Sequence, residues 1–243
     1  MEIIQIKKNF ELETLNLKPN ILFEDNHLLI INKKSGELAQ GDETGDIPLI
    51  DSLKDFIKKR DNKPGNVYLG LIHRLDRPTS GILIFAKTSK ALTRMNEIFK
   101  TREVKKAYWA IVENKPEKEF ERLEHFLKKN PKNNKTTVFT NPTKDAKIAI
   151  LEYQLKGNLD NYSLLEVDLF TGRSHQIRAQ LSFIGHPIKG DLKYSSKRSN
   201  PDGSISLHAR KISFTHPVSK EEIQIVAPPP NEPIWKECLK FDK

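Results

Sequence analysis

Short runs of apolar and β-branched residues, separated by polar turns, dominate the pattern of the chain. Residues 21–31 predict two strands joined by a turn at Asp25-Asn26, and residues 82–86 predict a short buried strand. Five further strands are predicted at 104–112, 146–155, 162–170, 206–214 and 222–226.

Four segments instead repeat apolar residues at the spacing of a helix. A Pro64-Gly65 pair ends the first, Thr88 or Ser89 can cap the second, and the third stops at Gly185. The apolar positions are Leu49, Ile50, Leu53, Phe56 and Ile57; Ala91, Leu92, Met95, Ile98 and Phe99; Ile177, Leu181 and Ile184; and the short run 234–241.

Strands outnumber helices and mostly follow one another without a regular strand–helix–strand alternation. This order predicts an α+β fold with a mixed, largely antiparallel central sheet flanked by helices and loops. The lysine- and asparagine-rich run 128–135 contains no acid and predicts an exposed loop. Without repeats or a low-complexity linker, we expect one domain over 21–243, preceded by an N-terminal extension over 1–20.

The net charge of the chain indicates what kind of partner the protein binds. The 41 Lys and Arg residues exceed the 32 Asp and Glu residues, which gives a net charge of +9. This excess favours a polyanionic partner, nucleic acid before an acidic membrane surface, although many proteins that bind neither are as basic. Cys238 is the only cysteine, which excludes an intrachain disulfide and a cysteine-based zinc site. Neither a signal peptide nor a membrane-spanning apolar run is evident, so we expect a cytoplasmic protein.

The first polar segment of interest is 73–81, which contains His73, Arg74, Asp76 and Arg77 and lies between two predicted core strands, 67–72 and 82–86. One interpretation is a surface turn in which these charges pair with one another. The other is a loop that presents the Asp76 carboxylate rigidly, because strands on both sides hold its ends.

The second segment, 169–178, ends a strand and begins a helix. Arg173 and His175 lie at the predicted helix start, where backbone N–H groups favour an anion, and Arg178 shares a face with His175. A capped amphipathic helix with an ordinary basic surface explains the same pattern.

The third segment is the predicted strand 104–112. Alternation places Lys106 and Tyr108 on one face and Ala107 and Trp109 on the other. A half-buried packing tyrosine is the simpler interpretation of Tyr108 when this strand is considered alone.

Together these segments resemble the RluA-like pseudouridine synthase family in order and spacing. The matching motifs are HRLD at 73–76 followed by TSG at 79–81, the lysine–tyrosine strand at 106–108, TGR-x-HQIR at 171–178 and GHPI-x-GD at 185–191. Weaker similarity extends from Ile21 almost to Pro230. Several long motifs in order are a far more specific signal than one four-residue match.

The resemblance implies an isomerase that converts uridine to pseudouridine in ribosomal RNA, transfer RNA or both, with no cofactor and no metal. It implies Asp76 as the nucleophile, Arg178 as the cation that keeps it ionised and Tyr108 against the target base. Arg74 would fill the space of the flipped base. His73 is grouped with the RNA-binding residues, although a hydrogen bond to its own loop is the favoured role. The further residues that we assign to RNA binding are Arg77, Lys106, Arg173 and His175.

Two departures from the family pattern are visible. Lys34-Ser35 stands where the family often has a proline and a small residue. Many members carry an accessory RNA-binding domain at the N-terminus, and we expect none in the twenty residues before Ile21. We expect a monomer. The alternatives are a catalytically silent RNA-binding protein on the same fold, a glycosidase, which would need a second acid paired with Asp76, and a basic structural protein.

Overall fold

The computed structural model describes residues 19–41 and 45–242. The predicted extension 1–20 therefore lies almost wholly outside the described residues. The strands are β1 (Ile21–Glu24), β2 (Leu28–Lys33), β3 (Gly70–Leu71), β4 (Ser80–Ala86), β5 (Lys105–Glu113), β6 (Phe120–Asn130), β7 (Lys135–Phe139), β8 (Lys147–Asn158), β9 (Tyr162–Leu169), β10 (Leu207–Thr215) and β11 (Glu222–Val226). The helices are α1 (Leu49–Arg60), α2 (Ser89–Lys100), α3 (Gln176–Phe183) and α4 (Pro233–Cys238), with 3₁₀ turns at Leu192–Tyr194 and Leu239–Phe241.

All the described strands join one sheet, in the order β1-β2-β4-β10-β5-β9-β8-β6-β7, with β3 added beside β4 and β11 beside β10. Among these pairs, β4 and β10 alone run parallel. The predicted α+β class and the largely antiparallel sheet are confirmed. The four predicted helices are also present, and the Thr88 side chain accepts the Ala91 N–H at the start of α2.

Strand β5 separates two hydrophobic clusters, as its alternation predicts. Tyr108, Ala110 and Val112 pack into the main core, whereas Trp109 and Ile111 pack on the other face in a smaller cluster beside α4. Strand β4 is buried along its whole length. Each fully buried aliphatic side chain contributes roughly 1.5–3 kcal/mol, so these central strands form a rigid base for the loops at their ends.

The prediction of an exposed loop at 128–135 is partly right, because residues 129–135 are exposed and 131–134 form a turn, but both ends of the segment are strand. Residues 128–130 end β6, Lys135 begins β7, and the intervening turn closes a hairpin in which Lys129 pairs with Thr136. Strand β7 is the edge of the sheet, and edge strands carry lysines because charge prevents pairing with other chains. The polar composition therefore reflects an edge hairpin.

Gly81 occupies the junction between the 73–79 loop and β4. Its φ is +113°, and a Cβ there would lie 2.4 Å from the carbonyl oxygen of Ala209 on β10. Any other residue would push β4 away from β10. Glycine thus allows the parallel contact that sets where the loop leaves the sheet.

Candidate active site

The loop 73–79 between β3 and β4 is held by contacts from the end of β2. The buried Lys33 ammonium donates to the Arg77 carbonyl at 3.1 Å, and the Gly36 N–H donates to the same oxygen at 2.9 Å. The Ser35 hydroxyl donates to the Pro78 carbonyl at 2.9 Å, so the residue that departs from the family pattern anchors the loop. Burial lowers the pKa of Lys33 to about 8. These bonds fix the backbone that carries Asp76.

Asp76 forms an ion pair with Arg178 of α3 across the space between loop and helix. The Nη1 atom of Arg178 donates to Oδ2 of Asp76 at 2.8 Å. Among the described residues, Oδ1 of Asp76 has no hydrogen-bond partner. The surface-turn interpretation, in which Arg74, Asp76 and Arg77 pair with one another, does not describe this loop, because Arg77 pairs with Asp46 at 2.7 Å.

A second carboxylate holds the other edge of the same guanidinium. Arg178 donates from Nε to Oδ2 of Asp191 at 2.6 Å and from Nη2 to Oδ1 at 2.8 Å. Asp191 is 1% exposed and Arg178 is 5% exposed. Burial lowers the pKa of Arg178, but the hydrogen bonds and charge of Asp191, with those of Asp76, outweigh burial and raise the pKa above its ordinary value. Arg178 therefore stays charged.

Sequence reasoning missed the role of Asp191, although it lies in the quoted motif at 185–191. One signal could have indicated it: a buried arginine that faces a reactive carboxylate needs a further acceptor for its remaining donors. Asp191 follows Arg178 by 13 residues in a turn that returns to the helix.

His175 lies directly before α3 and faces Asp76 from a second direction. Its Nε2 atom is 3.7 Å from Oδ2 of Asp76, and its Nδ1 atom is 2.8 Å from the hydroxyl oxygen of Tyr194. Burial lowers the pKa of His175, and the charges of Arg178 and Lys193 act in the same direction against the opposing effect of Asp76. Sequence reasoning also missed Tyr194, for which we see no sequence signal.

Tyr108 of β5 lines the same cavity as Asp76 and is 9% exposed. Burial and then the negative charge of Asp76 raise the pKa of its phenol above the ordinary value. The hydroxyl is therefore protonated at neutral pH and can donate a hydrogen bond.

An open cavity of about 1510 Å³ joins these groups. Its lining contains eleven lysine and arginine residues, compared with two aspartates, Asp76 and Asp168. All nine residues that the sequence singled out line this cavity: Asp76, Tyr108, Arg178, His73, Arg74, Arg77, Lys106, Arg173 and His175. The wall of the cavity is thus strongly basic around the Asp76 carboxylate.

The residues assigned to RNA binding have different environments within the cavity. His73 stacks on Phe99 at 5.2 Å, and burial lowers its pKa to about 3, so it is neutral and packs against its neighbour. Lys106 lies over the same ring at 5.7 Å, and Arg173 donates from Nε to a backbone carbonyl. Arg74 is exposed and, in the described part of the chain, has no hydrogen-bond or ion-pair partner. Its guanidinium is therefore free to bind a ligand.

Residues 27–183 match the family model described as RNA pseudouridylate synthase. The chain belongs to this family. It is 34% identical over 216 residues to ribosomal large subunit pseudouridine synthase C of Buchnera aphidicola subsp. Baizongia pistaciae, an alignment that covers 86% of this chain and 66% of that protein. The protein of the same name from Vibrio cholerae is 33% identical over 214 residues, with 86% and 65% covered. The chain thus spans about two thirds of the length of these relatives.

Among solved structures, human RNA pseudouridylate synthase domain containing 4 superimposes with a TM-score of 0.78 at 25% identity, covering 97% of both chains. The pseudouridine synthase fold and the family resemblance are therefore confirmed. Within residues 19–41 and 45–242, none of the helices has the length and apolar character that a bilayer span requires.

Proposed function

We propose that this chain isomerises uridines in RNA to pseudouridine with Asp76 as the nucleophile. The observation that carries the proposal is the Asp76–Arg178 ion pair inside a basic cavity that Tyr108 also lines. The family of the chain supports the reaction type. A glycosidase would need a second acid to act with Asp76. Asp191 is engaged with Arg178; Asp168 also lines the cavity, and the family match is what favours the synthase over a glycosidase.

The reaction breaks the bond between the uracil nitrogen and the sugar and reattaches the ring through a carbon. Asp76 attacks as an anion, either at the sugar or on the base, which divides the isomerisation into two easier steps. Arg178 donates to the carboxylate through Nη1 and stabilises its negative charge in a partly closed site. Since neither oxidation nor reduction occurs overall, the proposal requires no redox cofactor and no metal.

Access to Asp76 requires the target base to leave its stack, at a cost of a few kcal/mol. The exposed Arg74 guanidinium borders the cavity on the same loop, and in our proposal it occupies the space that the base vacates. Arg77, Lys106, Arg173 and His175 belong to the wall that receives the flipped nucleotide and its phosphates. Tyr108, protonated and buried, lies against the base and takes part in a later proton transfer.

The names of the relatives support a proposal for the RNA substrate. Two of them are named as ribosomal large subunit pseudouridine synthases, so we propose ribosomal RNA as the first substrate and transfer RNA as the second. We further propose that the protein acts as a monomer in the cytoplasm, where these RNAs mature.

The test is a tritium-release assay on purified protein. Reattachment through C5 of uracil displaces the hydrogen at that carbon, so RNA labelled there releases tritium into water as pseudouridine forms. Transcripts of large-subunit rRNA, small-subunit rRNA and a transfer RNA pool are compared at equal uridine concentration. We expect release from large-subunit rRNA above all. Tight binding to these RNAs without release from any of them would support the alternative, a catalytically silent RNA-binding protein.

A further inference from the structure

His175 adopts a backbone conformation that its position does not require. Its φ and ψ are 52° and 27°, in the left-handed region, and its side chain does not cap α3 although it occupies the N-cap position. Non-glycine residues in this region cost about 1–3 kcal/mol and persist where the surrounding structure imposes them, often at functional sites. The conformation turns the imidazole towards Asp76, and the His175 side chain is 8% exposed.

The hydrogen bonds around the ring favour one tautomer of His175. The Tyr194 hydroxyl oxygen accepts the Thr136 N–H at 2.7 Å and lies 2.8 Å from Nδ1 of His175. The hydroxyl proton needs an acceptor, and among the described residues Nδ1 is the one that lies within hydrogen-bond distance of it. Donation to Nδ1 leaves the single proton of a neutral imidazole on Nε2. The opposite tautomer would point a bare nitrogen lone pair at the Asp76 carboxylate.

Two donors then converge on the same carboxylate oxygen. Oδ2 of Asp76 accepts a hydrogen bond from Nη1 of Arg178 at 2.8 Å and lies 3.7 Å from Nε2 of His175. The second distance is longer than a hydrogen bond, but such contacts are often long in unliganded sites and shorten in the reacting complex. If both donors hold Oδ2, Oδ1 is the oxygen left to react.

We propose that His175 is a positioning residue which, as the neutral Nε2–H tautomer set by Tyr194, steers Oδ1 of Asp76 towards the substrate. The inference rests on the proposed function and replaces the RNA-contact role assigned to His175 above. It also gives the edge hairpin β6–β7 a link to the reacting group, because Thr136 on β7 supports Tyr194.

The tautomer is measured directly by ¹⁵N NMR of histidine-labelled protein, with His175→Gln to assign the ring resonances. At neutral pH we expect a neutral ring with its proton on Nε2, and Tyr194→Phe should shift the population towards the other tautomer. Tyr68→Phe, an exposed tyrosine outside the cavity, is the matched control. A ring protonated on Nδ1, or on both nitrogens at neutral pH, overturns the proposal. This measurement stands even if the protein modifies none of the RNAs tested.

Kinetics separate positioning from RNA binding. We expect His175→Leu to lower the single-turnover rate at saturating RNA by about a hundredfold and Tyr194→Phe by about tenfold, with RNA affinity unchanged. His175→Gln, which retains a donor, should recover most of the rate. The charged or titratable groups that face His175 are Asp76, Asp191, Arg178, Lys193 and Tyr194. Because these groups can also change charge, the single-turnover rate is measured from pH 6 to 9 for the wild type and each variant. A lost RNA affinity with an unchanged saturating rate in His175→Leu contradicts the proposal.

Discussion

Arg178 contacts Asp76 through a single nitrogen, Nη1, which lies 2.8 Å from Oδ2. The other edge of the guanidinium is occupied by Asp191, which accepts from both Nε and Nη2. This division matters because an unrestrained arginine would pair with both oxygens of Asp76 in the bidentate arrangement that the two groups prefer. Asp191 therefore leaves one oxygen of Asp76 available to a substrate.

Asp191→Asn should lower both activity and stability. The amide has nearly the same shape, but it removes one of the two negative charges that compensate the buried Arg178, and breaking a buried pair costs about 3–5 kcal/mol. We expect the single-turnover rate to fall about tenfold or more as Arg178 shifts towards Asp76. Unfolding by urea and tritium release measure the two effects, with the exposed Asp55→Asn as control. Unchanged values for both would mean that Asp191 does not orient Arg178.

Arg178→Met should damage catalysis more than RNA binding. Methionine retains an apolar stem of similar length but removes the charge that stabilises the Asp76 anion. We expect a large fall in the single-turnover rate and a loss of affinity no greater than that of one phosphate contact. A collapsed affinity with an unchanged rate constant would instead identify Arg178 as a phosphate clamp.

RNA affinity should depend strongly on salt, because basic side chains line the cavity. If about six phosphates are neutralised, affinity should fall roughly a thousandfold between 50 and 200 mM salt. Replacing Lys105 and Lys129 of the cavity wall with glutamine should reduce the logarithmic slope by about two. The same change at Lys58 and Lys220, which lie outside the cavity, should leave it unaltered. A flat salt response in the wild type would show that the net charge serves solubility alone.

Stability should fall as pH decreases from 6.5 towards 4, because His208 is buried without charge. Burial lowers its pKa from 6.5 to about 4, while the ring bonds to Ser80 and to the Ala227 carbonyl. In this window the unfolded chain binds the proton and the folded chain does not, so protonation favours unfolding, by roughly 3 kcal/mol over the window. In His208→Gln, the slope of the unfolding free energy against pH should be smaller, by an amount that corresponds to the uptake of up to one proton on unfolding. An equal slope in both proteins would refute this assignment.

Local patterns predicted most of the fold because they report on one element at a time. The alternation in 104–112 and the helical spacing of Leu49, Leu53 and Ile57 need no information from distant residues. The β6–β7 hairpin was missed because the buried face of β6 includes a histidine, His125, between Leu123 and Leu127, while its other face mixes charged residues with Phe120 and Phe126. Because polar residues occur on both faces, the alternation of apolar and polar positions that indicates a strand is weak in this segment.

The candidate site was partly predictable for the same reason. The motifs of the resemblance led to the pairing of Asp76 with Arg178, which are 102 residues apart, because a reactive carboxylate needs a cation. The support from Thr136 to Tyr194 joins segments 58 residues apart and follows from no local pattern. Contacts of this kind depend on how the sheet brings strand ends together.

Tritium release by Asp76→Asn tests the central claim most directly. The amide is nearly isosteric with the carboxylate and can still contact Arg178, but it cannot act as the nucleophile. Asp76→Ala serves as a second variant, and RNA affinity and urea unfolding are measured on both. We predict that release from large-subunit rRNA disappears while affinity and fold are largely retained. Turnover above trace level in the purified, folded variants would contradict the assignment of Asp76.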